Sequence, residues 1–180
     1  MSEALRYRPG AEPEWYNVGD FLLTHSKAPL GKLIRFAQGN SLYGVKPAYA
    51  WWNHVAVVAA EDGTLLEALL PGIARGHIND YAGSDYYLVR LEISQPDREQ
   101  VREFLWSAYE ARTRYGVATI ASISLTLLTG SSFIFGKAGT AICSGYCAEA
   151  LCRAGYIWPK PPSHMMPGDL AQVFNIPGGG

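Results

Sequence analysis

Trp51-Trp52-Asn53-His54-Val55-Ala56-Val57-Val58-Ala59-Ala60, then Glu61-Asp62-Gly63-Thr64, then Leu65-Leu66-Glu67-Ala68-Leu69 is the stretch on which the fold turns. Trp52 to Ala59 is apolar and rich in β-branched valines, the composition of a core strand. Asp-Gly between two apolar runs is a hairpin signal, because both residues tolerate the left-handed backbone of a tight turn. Leu65 to Leu69 is then the returning strand, ended by Pro71-Gly72. With Asp62-Gly63 as the two turn residues, Glu67 falls opposite Val58, on the face that carries Ala56 and His54. That register leaves His54 and Glu67 about 13 Å apart along the strand, so a direct bond needs a shifted register, a bulge or strong twist.

Outward from this hairpin, Gly19-Asp20 opens a short strand, Phe21-Leu22-Leu23, and Tyr86 to Glu92 reads as another. Leu30, Leu33, Ile34 and Ala37 stand at helical spacing with Lys32 and Arg35 on the other face, and Gly39-Asn40-Ser41 stops the helix. Ser94-Gln95-Pro96-Asp97 resembles a helix start with a serine cap and proline in the first turn. Val101, Phe104, Leu105 and Ala108 form its apolar stripe. A further helix runs from about Ser144 to Ala154 and ends at Gly155. Residues 1–16 read as an irregular N-terminal arm and 171–180 as a flexible tail. No repeat or linker divides the chain, so the expectation is one α+β domain over 1–180.

Composition narrows the function. A chain of 180 residues that is 48% hydrophobic can bury a core, which excludes a disordered reading. Charged residues make up 17%, below the roughly 25% usual for soluble domains, so much of the chain is buried. The net charge of -1 and the lack of a basic cluster exclude a nucleic-acid partner held through phosphates. Cys143, Cys147 and Cys152 are an odd number in one short segment, spaced neither as a disulfide framework nor as a zinc site. Free thiols and no metal or other cofactor are therefore expected. Met1-Ser2-Glu3-Ala4-Leu5-Arg6 lacks the apolar run of a signal peptide. The expected location is the cytoplasm, or outside a bacterial cell after lysis or as part of a phage particle. The uncharged window 115–136 is broken by Ser, Thr and Gly, so it reads as a buried helix and turn rather than a membrane span.

Cys143 stands where the last helix begins, and the free N–H groups and dipole of a first turn favour a thiolate there. The same amides can hold an oxyanion once sulfur has attacked a carbonyl. The plainer reading is a small buried hydrophobe, the common fate of a free cysteine. Cys147, one turn on, reads as packing, and Cys152 lies about half a turn round the helix. Of the four histidines, His54 starts a rigid strand and is the best general base for a cysteine nucleophile. His25 follows a strand and could line a cleft, whereas His77 and His164 stand in loops. Glu67, a lone acid in an apolar run, is the candidate to orient the imidazole, since burying it without a partner is costly. The alternative is a glutamate at a sheet end facing water.

Gly19-Asp20-Phe21-Leu22-Leu23, Asn53-His54-Val55-Ala56-Val57-Val58, Leu66-Glu67-Ala68 with Pro71-Gly72-Ile73, and Ile142-Cys143-Ser144-Gly145 together resemble the circularly permuted papain-like cysteine hydrolases of the NlpC superfamily. These are similar in plan to lecithin retinol acyltransferase. The likeness spans residues 19 to about 170, and its informative part is the order, His before Cys, where unpermuted papain-like enzymes place the cysteine first. It implies a small antiparallel sheet flanked by helices and a Cys143/His54/Glu67 triad. Many relatives have His, Asn or Gln at the third place. A carboxylate there would raise His54 basicity and favour a thiolate–imidazolium pair. Ser144 and Asp20 are the expected oxyanion-side support, and Trp52 and Tyr43 the expected substrate contacts.

The leading expectation is a cysteine hydrolase that cleaves a peptide or isopeptide bond, such as one in a cell-wall peptide, through a Cys143 acyl-enzyme. Its rival is a lipid-directed thioesterase or acyltransferase with the same triad, for which the 117–135 segment and Trp51, Trp52, Tyr86 and Tyr87 would supply a greasy pocket. A third reading is a non-catalytic binding module in which Cys143 packs and His54 is a structural hydrogen-bonder.

Overall fold

The structure is a computed structural model that describes residues 2–39, 44–69, 72–111 and 143–178. It is α+β. The strands β1 (Glu3–Tyr7), β2 (Phe21–Thr24), β3 (His54–Val58), β4 (Thr64–Ala68), β5 (Ile73–His77) and β6 (Tyr86–Arg90) form one sheet in the order β1-β6-β2-β3-β4-β5. Every neighbouring pair is antiparallel. The described helices are α1 (Pro29–Gly39), α2 (Gln95–Glu110), α3 (Cys143–Cys152) and α4 (Pro167–Val173).

Every residue of β2, β3 and β4 is buried, because both faces of the sheet are covered. That is why the strands read as unbroken apolar runs. Phe21, Leu23, Val55, Val57, Leu66 and Val89 pack on the helical side with Val101 and Leu105 of α2 and most of α3. Leu22, Ala56, Val58, Leu65 and Leu88 pack on the other side with Ile78, beneath Tyr7, Tyr16 and Tyr81. Ser94 caps α2 by accepting the Asp97 N–H, as its sequence suggested.

α3 is buried almost all round, and its small residues Ser144, Gly145, Cys147 and Ala148 let it lie close to its neighbours. Three bonds tie it in place. The Ser144 hydroxyl donates to the Met165 carbonyl at 2.6 Å, the Tyr146 hydroxyl to the Leu105 carbonyl at 2.8 Å, and the Trp158 indole to the Ala148 carbonyl at 2.9 Å. The helix ends through Gly155 at φ +78°, with the Tyr156 N–H returning to the Leu151 carbonyl.

Four expectations are corrected. Glu3–Tyr7 is no irregular arm but an edge strand on β6, fixed by pairing from Glu3↔Arg90 to Tyr7↔Tyr86 and by the Arg6–Asp85 ion pair. The tail from residue 171 is anchored: α4 reaches Val173, Ile176 is buried, and the Gly178 N–H bonds the Ala48 carbonyl at 2.6 Å. His77, expected in a loop, is the last residue of β5, the outermost strand beside β4. The hairpin turn is centred on Glu61-Asp62, with the Gly63 N–H bonding the Ala60 carbonyl and Gly63 following at φ +89°. A turn followed by a left-handed glycine makes a bulged hairpin, and the register becomes Val57↔Leu66 and Val58↔Leu65. Continued by one residue, it sets Glu67 opposite Ala56 instead of Val58. Among the described residues no helix is long and apolar enough to cross a membrane. The 115–136 window lies outside the described residues.

Candidate active site

The altered register removes the distance problem. On one face of a strand pair, a residue and the diagonal neighbour of its partner stand about 7–8 Å apart, within reach of long side chains. His54 and Glu67 are such diagonal neighbours, and His54 Nε2 meets Glu67 Oε2 at 2.5 Å. Both side chains are about nine-tenths buried, at 11% and 10% exposure. The same Glu67 oxygen accepts the Tyr81 hydroxyl at 2.7 Å. Glu67 Oε1 lies against Gly76 of β5, where an added Cβ would come within 2.9 Å of it. The acid thus occupies space that a larger residue would deny it.

His54 also lies within the influence of Cys143, whose hydrogen bonding and negative charge act to raise the imidazole's pKa. Since Nε2 faces Glu67, Nδ1 is the nitrogen left for the sulfur. Burial alone would lower the His54 pKa, but the hydrogen bonds and negative charge of Cys143 and Glu67 outweigh it and push it up to about 10. Cys143 is the first residue of α3 and is buried at 2% exposure. The first turn of a helix leaves backbone N–H groups without helical partners, and these amides are oriented to favour an anion. The site therefore joins an imidazole, a carboxylate, a phenol and a thiol at a helix start.

The other two cysteines differ. Burial, followed by the charge of Cys143, raises the Cys147 thiol well above its ordinary value, and Cys147 is fully enclosed. Cys152 is raised as well, first by burial. The remaining histidines are engaged elsewhere or exposed. His25 stacks on Trp51 with centroids 4.1 Å apart and bonds the Trp51 carbonyl. His77 bonds the Asp62 carbonyl and the Asn79 N–H, and His164 is exposed.

The expected supporting residues have other places. Asp20 accepts the Asn17 N–H at 2.9 Å, the Leu91 N–H at 3.0 Å and Arg98 at 3.3 Å, so its oxygens brace the chain rather than face a reaction. The Ser144 hydroxyl is committed to Met165, leaving only its backbone to serve an oxyanion. Trp52 is wholly buried, with its indole bonded to the Ile176 carbonyl, and cannot touch a substrate. Tyr86 is 1% exposed and likewise lines no pocket. Tyr43 and the 117–135 segment lie outside the described residues. Among the described residues no cluster of His, Cys, Asp or Glu is arranged to hold a metal ion.

Two contributors escaped the sequence reading. Gly76 had a signal, since a glycine inside a strand often marks a close approach. Tyr81 had none, because its contact with Glu67 depends on where β5 returns the chain. No family model matches the sequence, and no curated protein matches it closely enough to count as a relative.

Proposed function

We propose that the chain is a cysteine hydrolase of the permuted papain-like plan, cleaving an amide bond through a Cys143 acyl-enzyme. The observation that carries this reading is the His54 ring, which bonds a buried carboxylate and lies near enough to Cys143, at a helix start, for the sulfur to raise its pKa. Histidine and cysteine side by side, with the base oriented by a third group, is the pattern of an activated nucleophile.

The Cys143 sulfur attacks the carbonyl carbon, and the oxyanion that forms is held by backbone N–H groups of the first turn of α3. The C–N bond breaks, and the His54 Nδ1 proton passes to the leaving amine. Water then attacks the thioester, giving one proton to His54 and keeping the other on the carboxylic acid that leaves, and Cys143 is restored as a thiolate beside the imidazolium. Glu67 holds the ring throughout and balances its positive charge. The substrate class proposed first is a peptide or isopeptide, including cell-wall peptides, and this choice rests on the family resemblance alone.

Iodoacetamide near neutral pH tests the nucleophile: Cys143 is expected to label far faster than Cys147 or Cys152. Slow labelling at all three would overturn the reading in favour of a binding module. Cell-wall fragments and a fluorogenic acyl ester, each set against Cys143→Ala, assign the bond. Turnover of the ester alone would move the assignment to a thioesterase or acyltransferase.

A further inference from the structure

Glu67 Oε2 has two partners at once, the Tyr81 hydroxyl at 2.7 Å and the His54 ring at 2.5 Å. When the acid is ionised Oε2 accepts from both partners, which places the proton between it and His54 on Nε2. That leaves Nδ1 as the ring position that exchanges a proton with Cys143. Tyr81 is held firmly enough to enforce this. It closes the 3₁₀ turn Ile78–Tyr81, which starts with His77 accepting the Asn79 N–H and Asp80 accepting the His77 N–H. Its ring lies edge-on to Tyr86 at 6.2 Å, and Tyr86 stacks on Tyr7 at 5.4 Å.

We propose that Tyr81 is a positioning residue of this site, acting through Glu67 to hold the carboxyl group toward His54 and the ring in the tautomer that presents Nδ1 to Cys143. The inference rests on the thiol-hydrolase reading above and adds a fourth member to it. Tyr81 is suited to the part because it stays protonated: burial, then the charge and hydrogen bond of Glu67, hold its phenol far above the ordinary range. The titratable groups bonded to this acid are His54 and Tyr81, with Cys143 near enough to influence both and Asp80 next to Tyr81. Arg75 and His77 alternate to the other face of β5, where Arg75 reaches Thr64 and His77 reaches the Asp62 carbonyl. Neither can replace the lost donor. A hydrogen bond to the charged form of a carboxylate favours that form. Removing the phenol oxygen leaves Oε2 free to turn away from His54, and the imidazolium beside Cys143 is then held less well.

The test needs no substrate. The rate of Cys143 alkylation by iodoacetamide is followed from pH 4 to pH 9 in the full chain and in Tyr81→Phe, with each cysteine read separately by mass spectrometry. The variant is expected to shift the acid limb upward by about one pH unit, the usual scale of a neighbouring-group effect. An acid limb superposed on that of the unaltered chain, whatever the absolute rate, overturns the inference and leaves the thiol-hydrolase reading intact. Cys143 alkylated no faster than Cys152 in the unaltered chain overturns both. Should Tyr81→Phe fail to fold, nuclear magnetic resonance on the unaltered chain decides. The Tyr81 hydroxyl proton should exchange slowly and show a nuclear Overhauser contact with the His54 Nε2 proton, and a fast-exchanging hydroxyl without that contact overturns the inference.

Discussion

Two buried acid–base pairs can be compared, Asp20 just before β2 with Arg98 of α2 and Glu67 of β4 with His54 of β3, and they differ in what surrounds the acid. Asp20 is held by two backbone amides and a guanidinium, and Arg98 also donates to the Val18 and Leu91 carbonyls. None of these donors gives up its proton in the working pH range. Glu67 is held by two side chains, an imidazole and a phenol, and the imidazole in turn feels the thiol of Cys143. A buried carboxylate fixed by permanent donors braces the fold, whereas one fixed by a group that titrates can pass protons on. Burial raises the Asp20 carboxyl despite its amides and Arg98, so even the brace is not a strongly stabilising pair.

The comparison breaks most visibly on turnover. Cys143→Ala is expected to abolish hydrolysis, and His54→Ala to lose at least about 100-fold, the usual scale of general-base help. Asp20→Ala should act on the fold instead: it leaves Arg98 buried without its acid, a loss of about 3–5 kcal/mol in urea unfolding. In the fraction still folded, the iodoacetamide labelling rate of Cys143 should be unchanged. A labelling rate that falls with Asp20 would erase the distinction between brace and relay.

Smaller effects sharpen the boundary around Glu67. Gly76→Ala puts a methyl group within 2.9 Å of Glu67 Oε1. The carboxylate cannot swing aside without releasing His54 or Tyr81, so turnover should drop about tenfold, on the order of 1.4 kcal/mol in the barrier. Glu67→Gln keeps the shape and removes the charge, and its cost should stay below that of His54→Ala in the same assay. A greater loss than for His54 would mean that the carboxylate, not the imidazole, carries the proton.

The site was more legible than the sheet that holds it. A histidine opening a valine-rich strand, a lone acid in an apolar run and a cysteine at a helix start are local patterns, and each names its residue. Their mutual geometry was not local. Asp62-Gly63 can fill the two central places of a turn, or Gly63 can follow the turn as a left-handed residue. The second choice moves Glu67 by two positions, from opposite Val58 to opposite Ala56, and brings it to His54. β1 and β5 went unseen because edge strands with partly exposed, mixed sequences take their conformation from the pairing they find. Trp52 reads as a pocket residue from its neighbours and is core only because Ile176, far along the chain, receives its indole. Tyr81 belongs to the same class: a phenol after Asn79-Asp80 acquires meaning only once β5 has returned alongside β4.

The least effect, and the one that separates the two pairs on a single axis, is the pH dependence of stability. His54 is raised from 6.5 to about 10 in the folded chain. Its folded form binds the proton more tightly, so its contribution is fully present below about pH 6.5 and is lost as pH climbs towards about 10. Asp20 is raised as well, first by burial, which gives the same sign, stability falling as pH rises from the ordinary aspartate range. Melting temperatures from pH 4 to pH 10 should therefore show two separate declines, an acidic one removed by Asp20→Asn and an alkaline one removed by His54→Gln. Cys143→Ala should shrink the alkaline decline alone, because the hydrogen bond and charge of the sulfur are among the causes that raise His54. An alkaline decline undiminished in Cys143→Ala would mean that Glu67 by itself keeps the ring charged. The thiol and the imidazole would then be neighbours without being a pair.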